Sequence, residues 1–134
     1  MVKITSKPLS PETVVNEAKT PDSGCVATYV GLIRDNSRGK RVKSVEYRDV
    51  DGKAEERLQA IADEIKTQFP VNSVVIYHRT GILKVGDINL VVAIGAGHRG
   101  EGLAAAGRTV DLFKDRLPTA KKETYTDGTT FDGH

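Results

Sequence analysis

The stretch from His98 to Glu123, together with the apolar run that precedes it, constrains the fold more than any other. A strongly apolar run, VVAIGAG, gives way at His98-Arg99 to a helix-like segment, which Pro118 stops just before the paired lysines Lys121 and Lys122. At about 100° per residue, Leu103, Ala106, Val110, Phe113 and Leu117 gather into one apolar arc. Lys114 falls inside that arc, whereas Asp111, Asp115 and Arg116 point elsewhere. An ammonium on the inward side must snorkel, pair or face a polar cavity, so this helix is expected to border a site. Leu112, opposite the arc, is expected to face outward as a candidate for a dimer interface.

Upstream, Met1 to Ile4 reads as a short edge strand, and Ser10-Pro11-Glu12 supplies an N-cap, an N1 proline and an acidic first turn for a helix to Ala18. Cys25 to Ile33 is rich in β-formers and predicts a central strand closed by Arg34. The polar loop Asp35 to Arg41 leads into Val42 to Asp49, which is expected to pair with the preceding strand as a hairpin with a long tip. That loop reads either as a solvated hairpin end or as a mobile basic lid over an anion. Ala54, Leu58, Ile61, Ala62, Ile65 and Phe69 share one face of a second helix, which Pro70 stops. Ser73 to Arg79 predicts a strand, Thr80 to Gly86 a turn-bearing connection, and Asp87 to Gly95 the most apolar strand of the chain. Lys121 to Tyr125 is extended, and Asp127-Gly128 makes a turn. This order predicts an α+β fold: one domain over residues 1–134, mostly antiparallel sheet with about three helices, its tail from about residue 126 flexible.

Composition removes several function classes. A net charge of +2, with no Trp, three Phe and four Tyr, supports neither a nucleic-acid footprint nor a base-stacking platform. A third reading, nucleic-acid binding through the Arg34–Arg41 loop, would need strongly salt-dependent affinity. The one cysteine, Cys25, lies in the apolar run CVATYVGLI; it can form no internal disulfide or paired-thiol metal site and reads as a core thiol. No metal and no cofactor are expected. The N-terminal MVKITSKPLSPE lacks a signal-peptide apolar region and no run approaches the ~20 apolar residues of a membrane span, so a soluble, cytoplasmic protein is expected.

The chain carries no phosphate-loop, nucleophile-elbow or dinucleotide motif. Gly95-Ala96-Gly97-His98 is a glycine-bearing strand-to-helix turn, able to hold an anion or simply to turn. His78 has no second ligand at metal spacing and reads as a satisfied histidine at a strand end. What remains is a set of cations at element ends: Arg34, His98, Arg99, Lys114, Lys121 and Lys122. If they converge, they make a pocket for an anionic substrate in which clustered ammonium groups favour the neutral form of one of them. Spacing alone also allows Lys121 and Lys122 to be decoration on an edge strand.

Five motifs stand in register: Gly31-Leu32-Ile33-Arg34; Val45-Glu46-Tyr47; His78-Arg79-Thr80-Gly81 with Val85-Gly86-Asp87; Val91-Val92-Ala93-Ile94 leading to His98-Arg99; and Asp111-Leu112-Phe113-Lys114 running to Pro118 and Lys121-Lys122-Glu123. In order and spacing the chain resembles the large, catalytic subunit family of molybdopterin synthase, from about Gly24 to Glu123. The resemblance implies an α/β hammerhead-like fold and a homodimer. It also implies a small ubiquitin-like sulfur-carrier partner bound at each end, making a heterotetramer. The partner's C-terminal Gly-Gly thiocarboxylate would enter a pocket and pass sulfur to cyclic pyranopterin monophosphate, forming molybdopterin. By position, Lys114 and Lys121 match the family's catalytic lysines, and Arg34, His98 and Arg99, with Lys122 beside them, its substrate-binding cations. Thr119 and Ala120 depart from the family, which has a bulky residue and a tryptophan there; Leu103, Arg48 and Val50 depart likewise. These thinned aromatic walls support the alternative of a non-catalytic dimeric module that keeps the anion pocket but has lost turnover.

Overall fold

A computed structural model describes residues 1–133. The chain runs β1 (Val2–Thr5), α1 (Pro11–Ala18), β2 (Cys25–Leu32), β3 (Asn36–Ser37), β4 (Lys40–Arg48), α2 (Ala54–Gln68), β5 (Ser73–Arg79), β6 (Gly81–Lys84), β7 (Ile88–Ala96), α3 (Arg99–Asp115), β8 (Ala120–Tyr125) and β9 (Thr130–Asp132). The α+β class and the three helices are as the residue patterns predict. Ser10 caps α1, its side chain accepting from the Thr13 amide at 3.3 Å with Pro11 in the first turn.

Two sheets share the chain. The first has the order β1-β5-β7-β2, antiparallel except where β1 runs parallel to β5. β7 lies inside it, and Leu90 to Ala96 are buried without a break, as a strand covered on both faces requires. On one face α2 and α3 close a core around Leu58, Ile65, Ile76, Val92, Ile94 and Phe113; on the other, α1 covers Val75, Val91 and Ala93 with Val14 and Ala18. The second sheet has the order β3-β4-β8-β9, with β6 on the other side of β4, and its core holds Val45, Tyr47, Leu83 and Tyr125.

The expected hairpin between β2 and β4 does not form. β2 is already paired along its length with β7, Cys25 opposite Ala96 through Val30 opposite Val91. Its register slips between Gly31 and Leu32, and Ile33 carries the chain into the second core, bonded through its amide to Asp87 O and through its carbonyl to the Gly86 amide. β4 instead forms a tight hairpin with β3 around Arg38-Gly39, both at positive φ (55° and 77°). The expected connection after Thr80 contains β6, where Leu83 opposite Val45 is fully buried while Ile82 is exposed. Four residues are too few to display alternation in the sequence. The tail expected to be flexible carries β9, paired with β8.

The buried face of α3 is also not the predicted one. Gly102, Ala105, Ala106, Thr109, Leu112 and Phe113 are buried, whereas Leu103 is 62% exposed. Leu112 therefore lies in the core, not on an outward interface. The face is turned by about 60° from the apolar arc because small residues let the helix approach the sheet closely. A Cβ at Gly102 would stand 3.3 Å from Ala96 Cβ and 3.4 Å from Cys25 Sγ. Cys25 is itself only half-buried, its thiol directed at Ala96 O at 3.7 Å.

Candidate functional site

Where the two sheets meet the C-terminal end of α3, a cleft of about 480 Å³ opens. The β2–β3 crossing brings Arg34 to it, the last turn of α3 brings Lys114, and β8 brings Lys121 and Glu123. Three of the six predicted cations thus line one cavity. Lys114 is not on the inward side as predicted: the rotation of α3 leaves it exposed in the last turn, next to the buried Phe113, and it lines the cleft from there.

The other three lie elsewhere. His98 and Arg99 are exposed at the start of α3, about 22 Å from Lys114 along the helix at 1.5 Å per residue. His98 is the N-cap but makes no side-chain capping bond. Lys122 belongs to the opposite face of β8 from Lys121, as strand alternation dictates, and its cross-strand neighbours are Glu46 and Asp132. It does not line the cleft.

Lys121 meets a carboxylate rather than only other cations. Its Nζ lies 4.0 Å from Glu123 Oε2, and the Glu123 side chain is 9% exposed. Glu123 Oε1 accepts from Ser37 Oγ at 3.0 Å and from Tyr125 Oη at 2.7 Å. Tyr47, 3% exposed, lines the floor, its hydroxyl accepting from Asn89 Nδ2 at 2.9 Å; burial raises the phenol's pKa. Asn89 Oδ1 is buried without a partner among the described residues. Glu123, Tyr47, Ser37 and Tyr125 had no place in the predicted cation set. For Glu123 the signal was present, because Lys121, Glu123 and Tyr125 alternate along one strand face.

The turn before Lys121 is held from two sides. The Arg57 guanidinium on α2 donates to Pro118 O through Nε at 3.0 Å and Nη2 at 2.8 Å, and its fork also grips Asp51. From below, the fully buried His78 has Nε2 2.8 Å from Thr119 Oγ1 and Nδ1 2.9 Å from Asn89 O. A carbonyl can only accept, so the network assigns the proton to Nδ1 and makes Nε2 the acceptor of the threonine hydroxyl. Burial lowers the imidazole pKa to about 4, and the ring packs edgewise against Tyr47 and Phe113, both at 4.9 Å. His78 is the satisfied histidine predicted, and Thr119 is its partner.

No group of three metal-ligating side chains occurs among the described residues, and no helix among them is long and apolar enough to cross a membrane. A cleft with three cations and one clamped carboxylate defines an α+β domain suited to an anionic substrate and to proton transfer beside it. Comparison with known proteins narrows that class. Residues 4–116 match the model of the MoaE protein family. A molybdopterin synthase catalytic subunit from Nostoc sp. is 40% identical over 128 residues, 95% of this chain and 78% of its own length. The human molybdopterin synthase catalytic subunit is 30% identical over the whole chain, which spans 71% of the human protein. The crystal structure of molybdopterin synthase from Staphylococcus aureus superposes with a TM-score of 0.89 at 29% identity, covering 98% of this chain and 96% of that one. The chain belongs to the MoaE protein family, and these relatives are catalytic subunits of an enzyme, molybdopterin synthase.

Proposed function

We propose that this chain is the sulfurtransferase subunit that converts cyclic pyranopterin monophosphate to molybdopterin in molybdenum cofactor biosynthesis. The sulfur comes from the C-terminal thiocarboxylate of a small ubiquitin-like partner. One observation carries the reading: Arg34, Lys114 and Lys121, from three separate elements, line a single cleft. A pterin carrying a cyclic phosphate and a partner ending in a thiocarboxylate are both anions, and three converging cations favour both in one cavity.

In this reading Arg34 presents its guanidinium fork to the phosphate. Lys121 lies beside the thiocarboxylate as general acid/base or transient amine partner, and Lys114 supports developing negative charge. Tyr47 and Phe113 supply the apolar and edge contacts that a flat pterin ring accepts. His98 and Arg99 cannot reach the cleft of their own chain, so their part in substrate binding requires delivery by a second copy, in keeping with the homodimer. Lys122, on the outer face of β8, serves the rim or a partner surface. The reaction is placed in the cytoplasm, where a single unpaired cysteine stays reduced.

The test is turnover with a thiocarboxylated partner. Lys121→Ala and Lys114→Ala should each abolish conversion while leaving thermal unfolding nearly unchanged, because neither side chain is part of the packed core. Near-normal turnover in both variants overturns the reading. Thr119-Ala120, in place of the family's bulkier pair, favours the second reading of a binding module without turnover. Ligand binding without sulfur incorporation would select it.

A further inference from the structure

The Glu123 carboxylate is held asymmetrically. Both hydroxyl donors, Ser37 Oγ at 3.0 Å and Tyr125 Oη at 2.7 Å, bond the same oxygen, Oε1. Oε2 is left to the cleft side, 4.0 Å from Lys121 Nζ. Tyr125 is 3% exposed and lies on the same strand face as Lys121 and Glu123. Ser37 arrives from across β4, on the tight β3–β4 hairpin closed by the Arg38-Gly39 turn. The hairpin begins just beyond Arg34, so one hydrogen bond ties the arginine-bearing crossing to the lysine-bearing strand.

We propose that Ser37 and Tyr125 are positioning residues that clamp Glu123 through Oε1 so that Oε2 holds the Lys121 ammonium in the cleft. This rests on the sulfurtransferase reading above and deepens it. An unclamped carboxylate has two equivalent oxygens and rotates about its terminal torsion. Two O–H donors on one oxygen remove that freedom and leave the other as the lysine's ion-pair partner at 4.0 Å. The groups facing this carboxylate are Lys121 and Tyr125 from β8, Ser37 from β3 and Tyr47 from β4. Of these, only the two clamping hydroxyls bond it directly. The basic loop is therefore no free lid: its hairpin is pinned to the site by Ser37.

The experiment measures kcat and KM for sulfur transfer with the full chain and the thiocarboxylated partner, for Ser37→Ala, Ser37→Thr and Tyr125→Phe, each alone and combined with Glu123→Gln. A bond to a charged group is lost in each alanine or phenylalanine variant, so kcat should fall about tenfold while KM stays within about twofold. Ser37→Thr keeps the hydroxyl and should restore turnover. In the Glu123→Gln background the same changes should cost nothing further, because their effect runs through that carboxylate. Equal losses with and without Glu123, a loss confined to KM, or no loss at all overturns the proposal. Should Tyr125→Phe fail to fold, the Ser37 pair on the half-buried hairpin decides. Should Glu123→Gln leave too little turnover to compare, the threonine rescue decides. Full activity of both Lys121→Ala and Lys114→Ala would overturn the functional reading itself. Dependence on Lys121 with an unaffected Ser37→Ala overturns only this inference.

Discussion

Enclosure of His78 between Tyr47 and Phe113 makes its imidazole hard to protonate, and that couples folding to pH. The folded pKa is about 4, below the ordinary 6.5, so between those values the unfolded chain binds more protons than the folded one. The stability is fully present above about pH 6.5 and is lost as pH falls toward 4; denaturant unfolding should give about 2 kcal/mol less at pH 5 than at pH 7. His78→Gln should flatten that window relative to the parent chain, and an unchanged slope would contradict it. Thr119→Val removes the hydroxyl that His78 Nε2 accepts and strands a buried acceptor, which should cost about 1–3 kcal/mol by the same measurement. Single-residue roles were partly legible in the sequence. A histidine with no metal-spaced neighbour reads as a satisfied histidine at a strand end, and both its ring nitrogens are indeed partnered. Its partner Thr119 lies 41 residues away, a distance that no local pattern spans.

At the scale of elements, the sequence shows strands and helices more faithfully than it shows faces and pairings. α1 is bounded as its cap and proline predict, because those signals act within a few residues. The α3 face was misread because hydropathy favours Leu103, whereas close packing favours Gly102, Ala105 and Ala106. Leu112→Ala should therefore cost about 3 kcal/mol through cavity formation, and Leu103→Ala less than about 0.5, both read from denaturant unfolding. The reverse order would restore the hydropathic face. Gly102→Val should cost about 1–3 kcal/mol, its new methyl groups driven against Ala96 and Cys25. The pairing of β4 with β6 and β8, rather than with β2, was illegible for another reason. Ile33 leaves the first core for the second, a choice made by the two sheets and not by the loop between the strands.

The whole molecule is two sheets whose seam is the cleft, and the cations that meet there come from residues 87 positions apart, Arg34 and Lys121. Arg34, Lys114 and Lys121 were legible as members of a set of cations at element ends, but not which of the six meet; the carboxylate among them was not legible either, since Glu123 looks like an ordinary strand residue until Ser37 and Tyr125 are seen to hold it. In the proposed reading His98 and Arg99 act at the larger scale of the assembly. If each copy lends them to its neighbour, mixing Lys121→Ala chains with Arg99→Ala chains, each inactive alone, should restore about a quarter of the parental turnover, since half the dimers then carry one intact site. Mixtures as inactive as the separate variants would assign both residues to their own chain or to no site. The central claim, that this cleft passes sulfur from a thiocarboxylate to a pterin, is tested most directly by mass spectrometry of the pterin after incubation of the chain with an isotopically labelled thiocarboxylated partner and cyclic pyranopterin monophosphate. Labelled sulfur in the pterin, with loss of the label from the partner, is the predicted result; a bound pterin that gains no sulfur would contradict it.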